Sequence, residues 1–215
     1  MSEGEVGRSL ELDALLAEAG VAPLGAIAGT QFGRYISLFV RWNAKMNLTS
    51  IRDVEGILSR HFVESIACAQ SLPGEIATLL DFGSGGGLPG IPIALCRPEI
   101  AVTLAESQGK KAAFLQEAVR LLGISTRVHP FRAEVLSERF DCVTLRAVDR
   151  MDDAVASASE LVNPGGWLAL MTTGMELAKL QAAAGAEFSW SEATPLPNSE
   201  RRVLVRGRRE FSLRV

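Results

Sequence analysis

A chain of 215 residues, 47% hydrophobic and 22% charged, has an ordinary globular composition and enough length for one substantial core with an appendage. No run of residues approaches a membrane span, and the N-terminus carries Glu3, Glu5, Glu11 and Asp13 instead of a basic stretch before an apolar one, which speaks against secretion or anchoring. Cys68, Cys96 and Cys142 lie far apart without disulfide or zinc spacing, and a net charge of −3 excludes nucleic-acid binding by overall positive charge. A cytoplasmic protein with reduced cysteines is expected, with no membrane and no metal among its partners.

In chain order, leucines and alanines at helical spacing predict a helix over 10–19, stopped by Gly20 and Pro23. A second helix is expected over about 30–44, with Phe32, Tyr35, Ile36, Phe39, Val40 and Trp42 on a broad apolar face. Residues 43–50 are too polar and turn-rich to continue it. Asp53 then suits the N-cap of a third helix through about 69, which carries His61 and Glu64, expected as a hydrogen-bonded pair where the helices dock on the main domain. Ser71-Leu72-Pro73-Gly74 reads as a linker between a helical extension, 1–74, and a main domain, 75–215.

Beyond the linker, short β-rich runs alternate with helical ones, as in parallel βαβ units. Strands are expected over 76–82, 101–105, 126–131, 140–145 and 167–171, and weaker ones over 187–191 and 202–205. Helices are expected over 88–96, 108–122, 152–161 and 175–184, and Asn163-Pro164-Gly165-Gly166 is a strong turn before the fifth strand. The fold class is therefore α/β, a mostly parallel seven-stranded sheet with helices on both faces.

The stretch Asp81-Phe82-Gly83-Ser84-Gly85-Gly86-Gly87-Leu88-Pro89-Gly90 joins the first strand to the first helix of this pattern. Glycines at 83, 85 and 87 permit positive φ and leave no Cβ between a ligand and the peptide planes, and Pro89 suits the first turn of a helix. Glu106, ending the second strand about 20 residues on, stands where a ribose-binding acid is expected. Two registers compete. Gly85 to Gly90 satisfies G-x-G-x-x-G, as in a nicotinamide-dependent oxidoreductase, but begins three residues after the strand ends. Gly83 to Gly87 lies directly at the strand's carboxyl end, as in the first motif of S-adenosylmethionine-dependent methyltransferases.

Arg41-Trp42-Asn43, Asn47-Leu48-Thr49-Ser50, Arg60-His61, Gly83 to Pro92, Glu106-Ser107, Gly109-Lys110-Lys111, Arg132-Ala133-Glu134 and Arg146-Ala147 follow one another in an order that resembles the GidB/RsmG family over roughly 30–206. That family is the bacterial small-subunit ribosomal RNA methyltransferases acting on guanine N7. The resemblance implies a Rossmann-like class I fold, S-adenosylmethionine as cofactor, and 16S rRNA or the small ribosomal subunit as partner of a monomer. It further implies a cofactor site of Gly83, Ser84, Gly85, Gly87, Leu88 and Glu106, with Ala133 and Glu134 bordering the adenine. Arg146 would stand where methyl and acceptor meet, and Asn47, Arg132 and Arg201 are candidate RNA contacts. An alternative for Arg146 is a surface ion pair with Asp149 or Asp152, and for Arg132 and Arg201 the alternative is an ordinary solvated charge. Glu106 replaces the usual aspartate, and Met171-Thr172-Thr173-Gly174 replaces a lysine-glycine that the family commonly carries. A protein that kept the fold as a cofactor sensor or RNA binder without transfer is the non-enzyme alternative, and a methyltransferase for another RNA the enzymatic one.

Guanine N7 carries a free lone pair, so no proton leaves before attack and no general base is expected. Arg201, Arg202, Arg206, Arg208, Arg209 and Arg214 outnumber Glu200 and Glu210 at the end of the chain, a basic tail suited to RNA phosphates.

Overall fold

The structure is a computed structural model and describes residues 2–211. Arg214 of the basic tail lies outside the described residues. Parallel strands β1 (Thr78–Phe82), β2 (Ala101–Ala105), β3 (Arg127–His129), β4 (Phe140–Arg146) and β5 (Val162–Thr173) are joined by antiparallel β6 (Phe188–Trp190), β7 (Thr194–Pro195) and β8 (Arg202–Arg209). The order is β3-β2-β1-β4-β5-β8-β6, and the two-residue β7 pairs with β8. The seven-stranded path agrees with the fold class expected from sequence; β7, with Pro195 in it, is too short to leave a periodic signal.

Side-chain alternation splits the sheet into two apolar layers. Leu79, Cys142 and Ala169 face one layer, and Leu80, Val143 and Leu168 the other. The second layer is covered by α7 (Met151–Glu160) and α8 (Leu177–Ala184). Over the first lie α5 (Gly90–Cys96) and α6 (Gly109–Leu122), together with α1 (Glu3–Glu18), α2 (Ala26–Met46), α3 (Val54–Ile57) and α4 (Glu64–Ser71). Leu12, Phe32, Phe62 and Ile66 of the N-terminal helices share one apolar cluster with Leu79, Ile91 and Leu115. Tyr35, Phe39, Phe62 and Phe114 meet mostly edge-on at centroid distances of 5.1–6.5 Å, which ties α2 to α6 beyond what area alone supplies.

Two local departures from the sequence reading matter for the site. The third helix, capped by Asp53 as expected, is not uniform: Leu58–Val63 is a π-helical turn between α3 and α4, a feature concentrated at functional sites. The Asn-Pro-Gly-Gly turn does not precede β5 but bulges within it, the register passing from Phe140↔Val162 to Cys142↔Trp167. Its Gly165 stands at φ +78°.

Candidate active site

A cavity of about 980 Å³ opens at the carboxyl ends of β1, β2, β3 and β4. Here the chain reverses direction across the sheet, β1 being flanked by β2 on one side and β4 on the other, which is where open α/β sheets hold ligands. The glycine turn forms one wall. Gly83, Gly85 and Gly87 adopt φ of +71°, +55° and +80°, as the sequence suggests. Their surroundings differ. A side chain at Gly85 would point into open space, the nearest atom being 3.9 Å away, whereas one at Gly87 would strike Ile91 at 2.6 Å and the Tyr35 hydroxyl at 2.8 Å. Gly87 is therefore required by packing against Ile91 of α5 and Tyr35 of α2, and it does not line the cavity. Tyr35 donates to the Gly86 carbonyl, so α2 supports the turn from behind.

Glu106, nearly buried, closes the other side of the turn. Its Oε2 accepts from Gly85 N at 2.9 Å and its Oε1 from Gln108 N at 2.7 Å. The carboxylate thus shapes the turn and presents its remaining lone pairs to the cavity. Replacing it with glutamine places an amide N–H against one of those backbone donors, an orphaned contact of about 1–3 kcal/mol. Glu106→Gln is expected to weaken S-adenosylhomocysteine binding roughly tenfold or more in calorimetry; unchanged affinity would remove Glu106 from the cofactor site.

Strand parity turns Asp81 toward α5, beside its register partner Thr144. Only 1% exposed, it accepts from Gly90 N at 3.2 Å through Oδ2 and from the Thr144 hydroxyl at 3.0 Å through Oδ1. Burial pushes its carboxyl up to about 6, against the hydrogen bonds that favour the charged form. Pro89 is the N-cap of α5, not part of its first turn, and Gly90 lies so close to β2 that a Cβ would meet Leu104 at 2.3 Å. The N-terminus of α5 is consequently occupied by a carboxylate of the protein itself.

Arg146, at the end of β4, is mostly buried and pairs with neither Asp149 nor Asp152; Asp152 holds Lys179 at 2.8 Å instead. Its Nη2 donates to the Arg60 carbonyl at 2.7 Å and to His61 Nδ1 at 2.6 Å, and lies 3.5 Å from Glu64 Oε2. The expected His61–Glu64 pair is corrected accordingly: each bonds an arginine, Glu64 receiving Nε and Nη2 of Arg202 through Oε1. Burial, then the charges of Arg146 and Arg60, hold the His61 imidazolium down to about 3, so the ring is neutral at pH 7. Because arginine can only donate, Nδ1 is the acceptor, and Nε2–H donates to Thr49 Oγ1 at 2.7 Å. Thr49, Leu48 and Ser50 reach the cavity because Asn43 bridges their loop, accepting from Thr49 N and donating to the Ile51 carbonyl.

Of the other candidates, Ser84, Leu88, Ala133, Glu134 and Arg132 line the cavity with Gly83, Gly85, Glu106 and Arg146. Asn47, exposed at φ 51° and accepting from Arg52, and the exposed Arg201 are not part of its lining. Sequence reasoning missed Thr49 as a cavity residue and Asp81 as a buried acid; a charged residue inside an apolar strand was the available signal for the latter.

Part of the basic tail has partners within the protein. Arg206 Nη1 donates to the Ser71 carbonyl at 2.5 Å, Arg209 Nη1 to the Ser159 and Val162 carbonyls, and Arg208 stacks on Trp167 at 5.5 Å. These guanidinium groups hold β8 to its neighbours. Arg206→Ala is expected to cost about 1.5 kcal/mol of stability in urea melts while the salt dependence of RNA binding stays unchanged; a flatter salt slope would restore an RNA-binding role.

Among the described residues no helix is long and apolar enough to cross a membrane, and no three metal-ligating side chains cluster. The model of the family described as rRNA small subunit methyltransferase G matches residues 29–200. The chain is 42% identical over 166 residues to the ribosomal RNA small subunit methyltransferase G of Xanthomonas euvesicatoria pv. vesicatoria, covering 76% of this chain and 77% of the relative. It is 41% identical over 187 residues to that of Stenotrophomonas maltophilia strain K279a, covering 83% and 85%. In fold it is similar to a methyltransferase from Pyrococcus furiosus, with a TM-score of 0.58 at 14% identity over 83% of this chain and 98% of that one. It is likewise similar to TrmN from Thermus thermophilus, at 0.55 and 21% over 71% and 53%. With the glycine turn, the acid ending β2 and the arginine ending β4 all at one cavity, the chain belongs to the rRNA small subunit methyltransferase G family.

Proposed function

We propose that this protein transfers the methyl group of S-adenosylmethionine to N7 of a guanine in 16S rRNA, in the cytoplasm and as a monomer. The observation that carries the cofactor assignment is the occupant of the α5 N-terminus. A dinucleotide places its pyrophosphate against such a helix end. Here Asp81 takes the Gly90 N–H, and its carboxylate opposes a second anion. S-adenosylmethionine has no phosphate to place there, which favours it over a nicotinamide cofactor. In this reading Gly83, Gly85 and Leu88 flank the methionine and ribose, Glu106 accepts from ribose hydroxyls, and Ala133 and Glu134 border the adenine. When bound, the cofactor supplies an electrophilic sulfonium methyl.

The chain's own residues have a modest chemical task. N7 needs no deprotonation, so proximity and alignment are what the site contributes. Arg146, fixed by Arg60, His61 and Glu64, is a positioning residue for the acceptor, and the neutral His61 is not required as a base. Residues 1–74 serve as a helical extension that supports the glycine turn through Tyr35 and brings Thr49 to the cavity. Arg132, on the rim and exposed, is suited to RNA phosphate, with Asn47 and Arg201 more remote candidates.

The deciding experiment is transfer from labelled S-adenosylmethionine to 16S rRNA and to 30S particles lacking the modification, with the nucleoside product identified by mass. Appearance of 7-methylguanosine is the expected result. Cofactor binding without labelled RNA would leave a methyltransferase of another substrate.

A further inference from the structure

The hydrogen bonds that end at Thr49 form a chain whose direction is fixed at its far end. Arg146 Nη2 carries two protons and spends both, one on the Arg60 carbonyl at 2.7 Å and one on His61 Nδ1 at 2.6 Å. The neutral His61 ring has its single proton on Nε2 and gives it to Thr49 Oγ1 at 2.7 Å. Ile51 N donates to the same oxygen at 3.2 Å. A hydroxyl has two lone pairs and one proton. At Thr49 both lone pairs are taken, and among the described residues no acceptor is in place for the proton. Toward a ligand, Thr49 can therefore only donate.

Its position narrows the acceptor. Thr49 lines the larger cavity with Gly83, Gly85, Gly86 and Leu88, and takes no part in a second cavity of about 300 Å³ that Arg146 and His61 share with Met171, Thr172 and Thr173. It therefore lies on the glycine-turn side of Arg146. Charge points the same way. Arg146 and Arg202 share the one carboxylate of Glu64, and after burial it is the charges of Arg146, Arg60 and Arg202 that keep a proton off His61. Excess positive charge at the ring favours an anion at the end of the chain.

We infer that the Thr49 hydroxyl donates to the α-carboxylate of S-adenosylmethionine, with His61 as the positioning residue that holds and polarises it. The inference rests on the cofactor reading above and names the side chain that meets the methionine end. The carboxylate is the cofactor's only anion, and a hydroxyl without a free lone pair is closed to the neighbouring ammonium. A donor to an ionised acceptor forms the stronger class of hydrogen bond, and each bond in the chain strengthens the next. Through Thr49 the helical extension, residues 1–74, then takes a direct part in cofactor binding.

The test is calorimetry on the full chain with three ligands: S-adenosylhomocysteine, its decarboxylated analogue, and methylthioadenosine, which lacks the whole amino-acid end. The unsubstituted protein is expected to bind S-adenosylhomocysteine at least tenfold tighter than the decarboxylated analogue. Thr49→Val keeps the shape and removes the hydroxyl; it should weaken S-adenosylhomocysteine about tenfold, the value of one charge-assisted hydrogen bond, and leave the other two ligands nearly unchanged. Thr49→Ser should restore the preference. Nitrogen NMR of the unsubstituted protein should show His61 protonated on Nε2 alone. Four results would each overturn the inference: equal binding of S-adenosylhomocysteine and its decarboxylated analogue, a His61 proton on Nδ1, unchanged S-adenosylhomocysteine affinity in a folded Thr49→Val protein, or an equal loss for all three ligands there. The first two need no variant and decide the matter if Thr49→Val does not fold. Failure of the cofactor reading looks different, since none of the three ligands would then bind.

Discussion

Arg146→Ala is expected to reduce methyl transfer roughly 100-fold, the scale on which misplacing reacting groups acts, and to destabilise the protein by about 3 kcal/mol, the lower end for breaking a buried charge pair. The stability loss follows from what the guanidinium satisfies. Without it the Arg60 carbonyl and His61 Nδ1 lose their donor, and Glu64 keeps only Arg202 against its fully buried charge. For a domain of this size the melting temperature should fall by roughly 6–12 °C. Arg146→Lys separates the two effects. A lysine restores a positive charge but cannot reach three acceptors in one plane, so stability should recover in part while transfer remains low. The measurements are thermal melts and single-turnover transfer at saturating S-adenosylmethionine. A folded Arg146→Ala protein with unimpaired single-turnover rate would reduce Arg146 to a docking contact for the N-terminal helices.

Asp81→Asn is expected to stabilise the protein at neutral pH and to remove part of its pH dependence. The folded carboxyl titrates at about 6, against roughly 3.9 in an unfolded chain. Between those values the folded state holds a proton that the unfolded state has released, so stability falls as pH rises through this window and levels off above it. Ionisation of Asp81 therefore costs about 3 kcal/mol at pH 7.5 relative to acid. Asparagine avoids that ionisation but can accept only one of the two present donors. The Thr144 hydroxyl has an alternative acceptor in the Leu80 carbonyl at 3.4 Å, which leaves the amide oxygen for Gly90 N. A net gain of about 1–2 kcal/mol at pH 7.5 remains after an imperfect hydrogen bond is discounted. Urea melts at pH 4.5, 6 and 7.5 on both proteins isolate this group from every other titrating one. A difference between them that does not change across the window would show that Asp81 is ionised without penalty in the fold.

These two residues also show where reading from sequence stops. Arg146 is visible at the end of a buried strand, but its partners are not: Arg60, His61 and Glu64 lie more than 80 positions earlier. The local candidates Asp149 and Asp152 were nearer in the chain and wrong in space. The arginines of β8 are comparable. As a run they suggest a phosphate-binding tail; in the sheet, Arg206 and Arg209 reach the backbone carbonyls of Ser71, Ser159 and Val162.

What the chain determines by itself is what rests on neighbours along it. Period-2 and period-3.6 apolar patterns specify the strands and helices, positive φ requires the glycines at 83, 85 and 87, and the spacing from that turn to Glu106 places a carboxylate at the end of the next strand. Tertiary structure decides everything that depends on charge in a buried setting. Whether Glu64 is paired, whether Asp81 is ionised and whether His61 can accept a proton are fixed by burial and by groups from distant elements. Desolvation and Coulomb energies scale with distance through space, and sequence separation does not report that distance.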